Sequence, residues 1–425
     1  MLVAFAPFAK VLAAFAVMLA GVRLRLSLGL SILCGAMTLG LLFGIGPRGI
    51  VQASALALTD EKFLLLALIV GLILMLSDAL ERSGQSRRLM AALSGYLTRP
   101  RLRLVFFPAL IGLLPMPGGA IFSAPMIKTA SEGMAVSSAQ QALINYWFRH
   151  IWELAWPLYP GIILTVALAD IPISAFVSRT WPAVLFMVGI GWFFFLRPGK
   201  LDVSTPKTDP NRPRPRPGAV FYEGLPLLVA IIGAVGLESL IPILAPTLAF
   251  EIGVIAALFV AVICVMIQNG LGPTFLGAVL AKKSLWSMLL VIAAIFVFKD
   301  VLSAAGVVEA MARSAGGNAA LIASAVFLPF LVGMVAGINV AFVGSTFPLL
   351  LGLIHTLGLE DKTIPFLILA SFAGFTGVMI SPIHICFILT CQFFRAEAAR
   401  TWRQLVAPCL TFALLGGLFF LVLIR

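Results

Sequence analysis

One stretch of the chain sets ionisable groups among large apolar rings: Arg149, His150 and Glu153 stand between Trp147, Trp152 and Trp156. Arg149 and Glu153 are four residues apart, so on a helix they share a face and can pair. Arg149 has the chemistry to hold a substrate anion, and His150 or Glu153 to carry a proton. The plainer role is a structural ion pair that sets a helix break at Pro157 to Gly161. A second stretch, 374–382, contains Gly374, Thr376, Gly377, Ser381 and Pro382 and no charge. If the helix opens there, its carbonyls and the Thr376 and Ser381 oxygens would suit Na⁺. His384, just beyond, is either a proton site or, more simply, a hydrogen-bonded interior histidine.

These groups belong to a chain of 425 residues that is 61% hydrophobic and 11% charged, whereas a soluble protein carries about a quarter charged residues. A soluble multidomain protein is excluded. Apolar runs of roughly twenty residues recur from end to end, the length a helix needs to cross a bilayer core. The fold class expected is an all-α polytopic membrane protein. An ionised side chain at its centre costs about 2.5–3.5 kcal/mol, so Arg149 and Glu153 should face each other or an interior path. The net charge of +12 belongs to loops rather than to a nucleic-acid surface. The five cysteines form no paired framework.

The apolar runs give about ten crossings: 2–20, 27–45, 63–77, an interrupted 141–169, 181–196, 225–244, 248–268, 285–301, an interrupted 365–390, and 404–423. Two further regions are irregular. The first, 104–126, carries Pro115, Met116, Pro117, Gly118 and Gly119 at its midpoint, which no helix tolerates. Each of its arms is about ten residues, roughly 15 Å or half a bilayer, so a re-entrant hairpin is expected. The second, 321–353, is centred on Gly337 to Val340 and could be a hairpin or a crossing. With two hairpins, twenty Lys and Arg fall in loops on one side and five on the other: Arg48, Lys62, Arg179, Arg313 and Lys362. The positive-inside rule then places both termini outside a cell (inner) membrane.

The chain also repeats itself. A shift of about 221 to 225 positions lays Asp78 and Gly84 on Asp300 and Gly306, Pro108 and Gly112 on Pro329 and Gly333, and Trp156-Pro157 on Ser381-Pro382. The expected organisation is a first repeat over 1–197, a Pro- and Arg-rich cytoplasmic linker over 198–220, and a second repeat over 221–425. Five crossings per half is an odd number, so the second half should be inverted. Inverted repeats with broken helices are common in secondary transporters.

Unwound backbone is tolerated in a membrane only where protein buries it or water reaches it. The hairpin tips are therefore candidate substrate sites: Pro117, Gly118, Gly119 and Ser123 at the first, and Asn339, Ser345 and Thr346 at the second. The alternative for the small residues is close helix packing. No H-E-x-x-H spacing links His150, His355 and His384, and no phosphate-cradling Gly-rich string is present. Neither an enzyme nor a metal site is expected, and no cofactor beyond Na⁺ or H⁺ as coupling ion.

The strings Leu113 to Ala120 (LLPMPGGA), Asn145 to Glu153 (NYWFRHIWE) and Ser381 to His384 (SPIH) resemble those of a prokaryotic membrane family catalogued as domain of unknown function 401 and grouped with ion transporters. The architecture is similar to that of divalent-anion/sodium symporters, although their Ser-Asn-Thr tip motifs are absent. The resemblance implies an elevator-type homodimer with scaffold and transport parts. Together these readings predict a secondary transporter of a small anionic (carboxylate) metabolite coupled to Na⁺ or H⁺. The rival is a Na⁺/H⁺ or related cation antiporter with Glu153 and His150 as titrating groups.

Overall fold

A computed structural model describes residues 6–97, 99–113, 119–132, 134–201, 217–245, 248–249, 251–314 and 317–425. These residues form helices and their connections, with no strand among them. The first half comprises α1 (Ala6–Arg23), α2 (Leu28–Phe43), α3 (Gly46–Thr59), α4 (Glu61–Arg82), α5 (Gln85–Ser94), α6 (Pro100–Gly112), α7 (Ala120–Ala130), α8 (Ser138–Arg149), α9 (Pro160–Ala169), α10 (Ile173–Thr180) and α11 (Pro182–Gly191). The second comprises α12 (Pro217–Leu244), α13 (Glu251–Asn269), α14 (Pro273–Leu280), α15 (Lys283–Ala304), α16 (Val307–Ser314), α17 (Gly317–Ile322), α18 (Leu328–Ala336), α19 (Asn339–Thr356), α20 (Thr363–Ile380), α21 (Ile385–Phe394) and α22 (Ala398–Leu423).

Nine helical segments among the described residues are long and apolar enough to cross a membrane. The chain is an all-helical, multi-pass membrane protein. The nine include α19, which the sequence placed in a second irregular region. They leave out α2, at 16 residues, and the two short helices α8 and α9. The first tip, with Pro117 and Gly118, lies outside the described residues, as does most of the linker. The linker ends earlier than expected: α12 starts at Pro217, and a proline is preorganised for the first turn of a helix.

The helices gather into two bodies. In one, α1 packs on α2 and α12 on α13, while α2 also lies on α15 and α13 on α4. In the other, α6 packs on α7 and α8, and α18 on α19 and α20, with α7 against α21 and α9 against α19. Each of these contacts occurs twice, its two copies related by the register of the repeat. The central helices α4 and α15 run antiparallel, because ion pairs tie opposite ends. Lys282, just before α15, pairs with Asp78 near the end of α4. Lys299, near the end of α15, lies 3.3 Å from Asp60, the N-cap of α4. Asp78 and Asp300 are register mates, so equivalent helices point in opposite directions. Asp78 and Lys299, at the ends of their helices, are thus held by ion pairs. Asp78 is buried and is held by Arg82 at 2.8 Å as well.

A buried carboxylate fastens α12 to α10. Glu238 Oε1 accepts from Ile173 N at 2.6 Å and Oε2 from Ser174 N at 3.2 Å, satisfying the first amides of α10, which has no side-chain cap of its own. Glu238→Ala is expected to destabilise the purified protein by about 1–3 kcal/mol, because it strands buried donors. Glu238→Gln, which keeps an acceptor, should lose less, with thermal unfolding in detergent ranking the two.

Candidate functional site

Between the two bodies lies a cavity of about 310 Å³. One wall is Leu28 at the start of α2 with Ser284, Ser287, Met288 and Val291 of α15. The other is built from three places where helices stop or start. Arg149, His150, Glu153, Tyr159, Pro160 and Gly161 come from the first break. Ile338, Asn339 and Val340 come from the joint between α18 and α19, and Val378, His384, Ile385 and Cys386 from the second break.

The first break is wider than its proline suggested. Helix α8 already ends at Arg149, and α9 resumes only at Pro160. The intervening ten-residue span is held by the neighbouring helix α6: Trp152 Nε1 donates to Ala109 O at 2.8 Å and Tyr159 OH to Gly112 O at 2.5 Å. These two side chains satisfy carbonyls at the end of α6 that lack helical partners. The second break is shorter and later than expected. Helix α20 runs unbroken to Ile380 and stops before Ser381-Pro382, since the residue ahead of a proline is pushed out of helical geometry.

Glu153 sits at the centre of the wall. Its Oε1 is 3.6 Å from Arg149 Nη1, and its Oε2 accepts from Asn339 Nδ2 at 2.6 Å. The carboxylate therefore joins the first half to the second across 186 residues of sequence. Asn339 Oδ1 is buried and takes part in no hydrogen bond.

Three helices begin on this cavity: α9 at Pro160, α19 at Asn339 and α21 at Ile385. None of the three N-termini has a side-chain cap. Aligned peptide dipoles make each such end an attractor of negative charge, at α9 with little help from amides because Pro160 has no N–H and Ile162 N donates to Tyr159 O. The carboxyl ends of α8 and α20 arrive here too, but their carbonyls are engaged. Tyr146 O lies 2.6 Å from His150 Nδ1, Val378 O lies 3.3 Å from His384 Nδ1, and Met379 O accepts from Tyr146 OH at 3.0 Å. A carbonyl can only accept, so both imidazoles carry their proton on Nδ1. Donors and a guanidinium thus dominate the cavity, with Glu153 the one carboxylate among its lining residues.

Of the residues singled out in the sequence, Arg149, His150, Glu153, Asn339 and His384 meet at this cavity. The other described ones do not line it. Ser123 Oγ donates to Asn145 Oδ1 at 2.6 Å, and Asn145 Nδ2 donates to Ala120 O and Thr390 Oγ1, so this pair knits α7, α8 and α21 together. Ser345 and Thr346 donate to Ala341 O and Phe342 O of their own helix. Gly119 sits at the N-cap of α7. Gly374, Thr376 and Gly377 lie inside α20, where Thr376 Oγ1 bonds Phe372 O and the carbonyls are helical rather than open. Gly377 gives the room in which α18 packs, since a Cβ there would stand 2.2 Å from Phe330 O, and Gly374 the room for the Phe342 ring of α19. Ser381, at the true break, is buried.

Sequence reasoning missed Tyr159, Cys386, Ser284 and Ser287. Cys386 was within reach, two residues past His384 in the interrupted run 365–390. Ser284 and Ser287 were not, because nothing local marks the start of α15 as a cavity wall.

Comparison with curated proteins found no match. The sequence profile of a family described as Protein of unknown function (DUF401) matches residues 8–210 and 228–423. These two blocks span nearly the whole chain, including both breaks and every residue of the cavity, and the protein belongs to the DUF401 family.

Proposed function

We propose that the protein is a secondary active transporter of a small carboxylate-bearing metabolite, coupled to Na⁺ or H⁺ and working by alternating access of an elevator type. The observation that carries this reading is the convergence of three uncapped helix N-termini and Arg149 on one cavity. Discontinuous helices with their positive ends on the solute are how membrane transporters receive anions near mid-membrane. A volume of about 310 Å³ is at the low end for ligand pockets, which favours a small metabolite over a lipid or peptide.

Several features support the mechanical side. The antiparallel α4 and α15 and the doubled contacts agree with two inverted repeats over 1–197 and 221–425. The cavity separates a body built on α2 and α15 from one holding both breaks, the division an elevator needs between scaffold and moving part. Re-entry of the α6–α7 and α18–α19 pairs, and a homodimer through the scaffold, belong to the same proposal. With the Lys- and Arg-rich loops inside, Leu28 and Ser284 stand at the cytoplasmic end, and the cavity faces the cytoplasm of a cell (inner) membrane with both termini outside. For the coupling ion, the unwound Ser381 to His384 segment and Asn339 Oδ1 replace the Gly374 to Gly377 carbonyls as candidates.

A screen of small mono- and dicarboxylates for thermal stabilisation of the purified protein, with and without Na⁺, tests the reading. A ligand at a hundred times its Kd should add about 2.7 kcal/mol of stability. Counterflow of the same compound in proteoliposomes is the expected companion. Stabilisation by no anion, together with pH-dependent Na⁺ flux in the absence of any organic solute, would establish the antiporter instead.

A further inference from the structure

The cavity wall contains one group of side chains beyond those assigned to the anion. His150, His384 and Cys386 are 1%, 5% and 4% exposed, and one ligand atom from each lies within 4.8 Å of the others. His150 closes the end of α8, whereas His384 and Cys386 open α21, so the three come from the two halves of the chain. The two rings stand perpendicular, with centroids 4.9 Å apart.

We propose that these three residues form a binding site for a soft d¹⁰ metal ion, Zn²⁺ or Cu⁺. The chemistry of the donors leads there. Two imidazoles and a thiol offer no hard oxygen, so Na⁺, Mg²⁺ and Ca²⁺ are poor occupants, while nitrogen and sulfur suit zinc and cuprous copper. The tautomers are already those of metal ligands. Each Nδ1–H faces a backbone carbonyl, Tyr146 O at 2.6 Å and Val378 O at 3.3 Å, which leaves each Nε2 with a lone pair. That outer hydrogen bond is what orients a metal-binding histidine and fixes the nitrogen it presents. His150 is buried and its side chain hydrogen-bonds that of Cys386, so two of the three donors already face one another.

The geometry needs little adjustment. Bonds of about 2.0–2.3 Å put tetrahedral ligand atoms roughly 3.5 Å apart, so the cluster closes by about 1 Å on loading. His384 can supply most of it, since it stands outside helical geometry at the N-cap of α21 and its Nδ1 contact is the longer of the two. Binding displaces the Cys386 thiol proton to solvent through the cavity, and the metal takes the thiolate. Three protein ligands leave a fourth position facing the cavity, open to water or to a solute oxygen. An ion held this way ties α8 to α21 and so pins the two breaks together. The site is independent of which solute crosses, and its test involves no flux.

The full-length protein, reduced and stripped with a chelator, would be incubated with Zn²⁺ alone or with Cu⁺ alone under reductant, desalted, and its metal counted. One ion per chain is expected, and the arm that retains it under competition from a chelator of known affinity identifies the ion. Co²⁺, as a spectroscopic stand-in for zinc, should give a thiolate-to-cobalt charge-transfer band together with intense tetrahedral d–d bands. Cys386→Ser should abolish the charge-transfer band, and His355→Ala, which removes an exposed histidine, should leave loading unchanged. Should Cys386→Ser not fold, a variant with Cys34, Cys264, Cys391 and Cys409 all changed to Ala, keeping Cys386 alone, must retain the band. No retained metal in the wild type, or a charge-transfer band that survives Cys386→Ser or vanishes when only Cys386 is kept, overturns the proposal.

Discussion

Arg149→Ala is expected to lower saturable uptake of the transported anion at least a hundredfold while leaving the protein folded. A hundredfold corresponds to about 2.7 kcal/mol, within reach of one buried, charge-assisted contact to a carboxylate. Two effects add. The solute loses the guanidinium, and Glu153, 3.6 Å from Arg149 in the wild type, is left as uncompensated negative charge beside the anion it must now tolerate. The double variant Arg149→Ala/Glu153→Gln separates these effects. If Arg149 serves only to neutralise Glu153, the double variant regains transport; if Arg149 grips the solute, it stays inactive. Arg149→Lys keeps the charge but not the planar fork, so a partial recovery with raised KM is the expected outcome. Proteoliposome counterflow, with size-exclusion profiles to verify folding, reads all four proteins. Wild-type uptake by Arg149→Ala would remove the residue from the solute site and leave it as a structural partner.

The ingredients of this site were legible in the sequence to unequal degrees. Charge among tryptophans marked Arg149, His150 and Glu153, because ionised groups are so costly in oil that their presence alone is a signal. The register that lays Gly112 on Gly333 was visible because prolines, glycines and aspartates at matched offsets survive where apolar residues are interchangeable. The break positions were not legible. Pro157 drew attention to itself, yet α8 unwinds eight residues earlier because Trp152 and Tyr159 bond α6, which only tertiary packing could supply. In the second half Gly374 and Gly377 looked like weak points of a helix. They are instead its closest contacts, and the stop comes from Ser381-Pro382. Nor could any local pattern bring Asn339 to Glu153, since that bond depends on how the two halves pack.

The same glycines lead to the largest expected effect on folding. A Cβ added to Gly333 would stand 2.2 Å from Gly374 O, and one added to Gly112 would stand 2.3 Å from Arg149 O. In each half, then, a helix of the arm pair touches the backbone of the broken helix through a glycine, and the two glycines are register mates. Lipid gives helices no hydrophobic reason to associate, so close backbone approach supplies much of the packing energy between them. Gly333→Ala must force α18 and α20 apart by roughly 1 Å, and overpacking of this kind costs about 1–3 kcal/mol, more where backbone rather than a flexible side chain is struck. Displacement of α18 also carries Gly337 and Asn339 with it, which pulls Nδ2 away from Glu153. Gly333→Ala should therefore lower the melting temperature and impair transport together, and Gly333→Val should not yield a monodisperse protein. Gly112→Ala should spare α20 but push on the end of α8, striking Arg149 directly. Gly417→Ala in α22 is the control: nothing lies within 4 Å of its added Cβ, and relief of glycine's backbone entropy should stabilise the helix by about 0.5–1 kcal/mol. A Gly333→Ala protein with wild-type melting and wild-type uptake would mean that α18 and α20 do not touch through their backbones, and the joint that presents Asn339 would have to be built some other way.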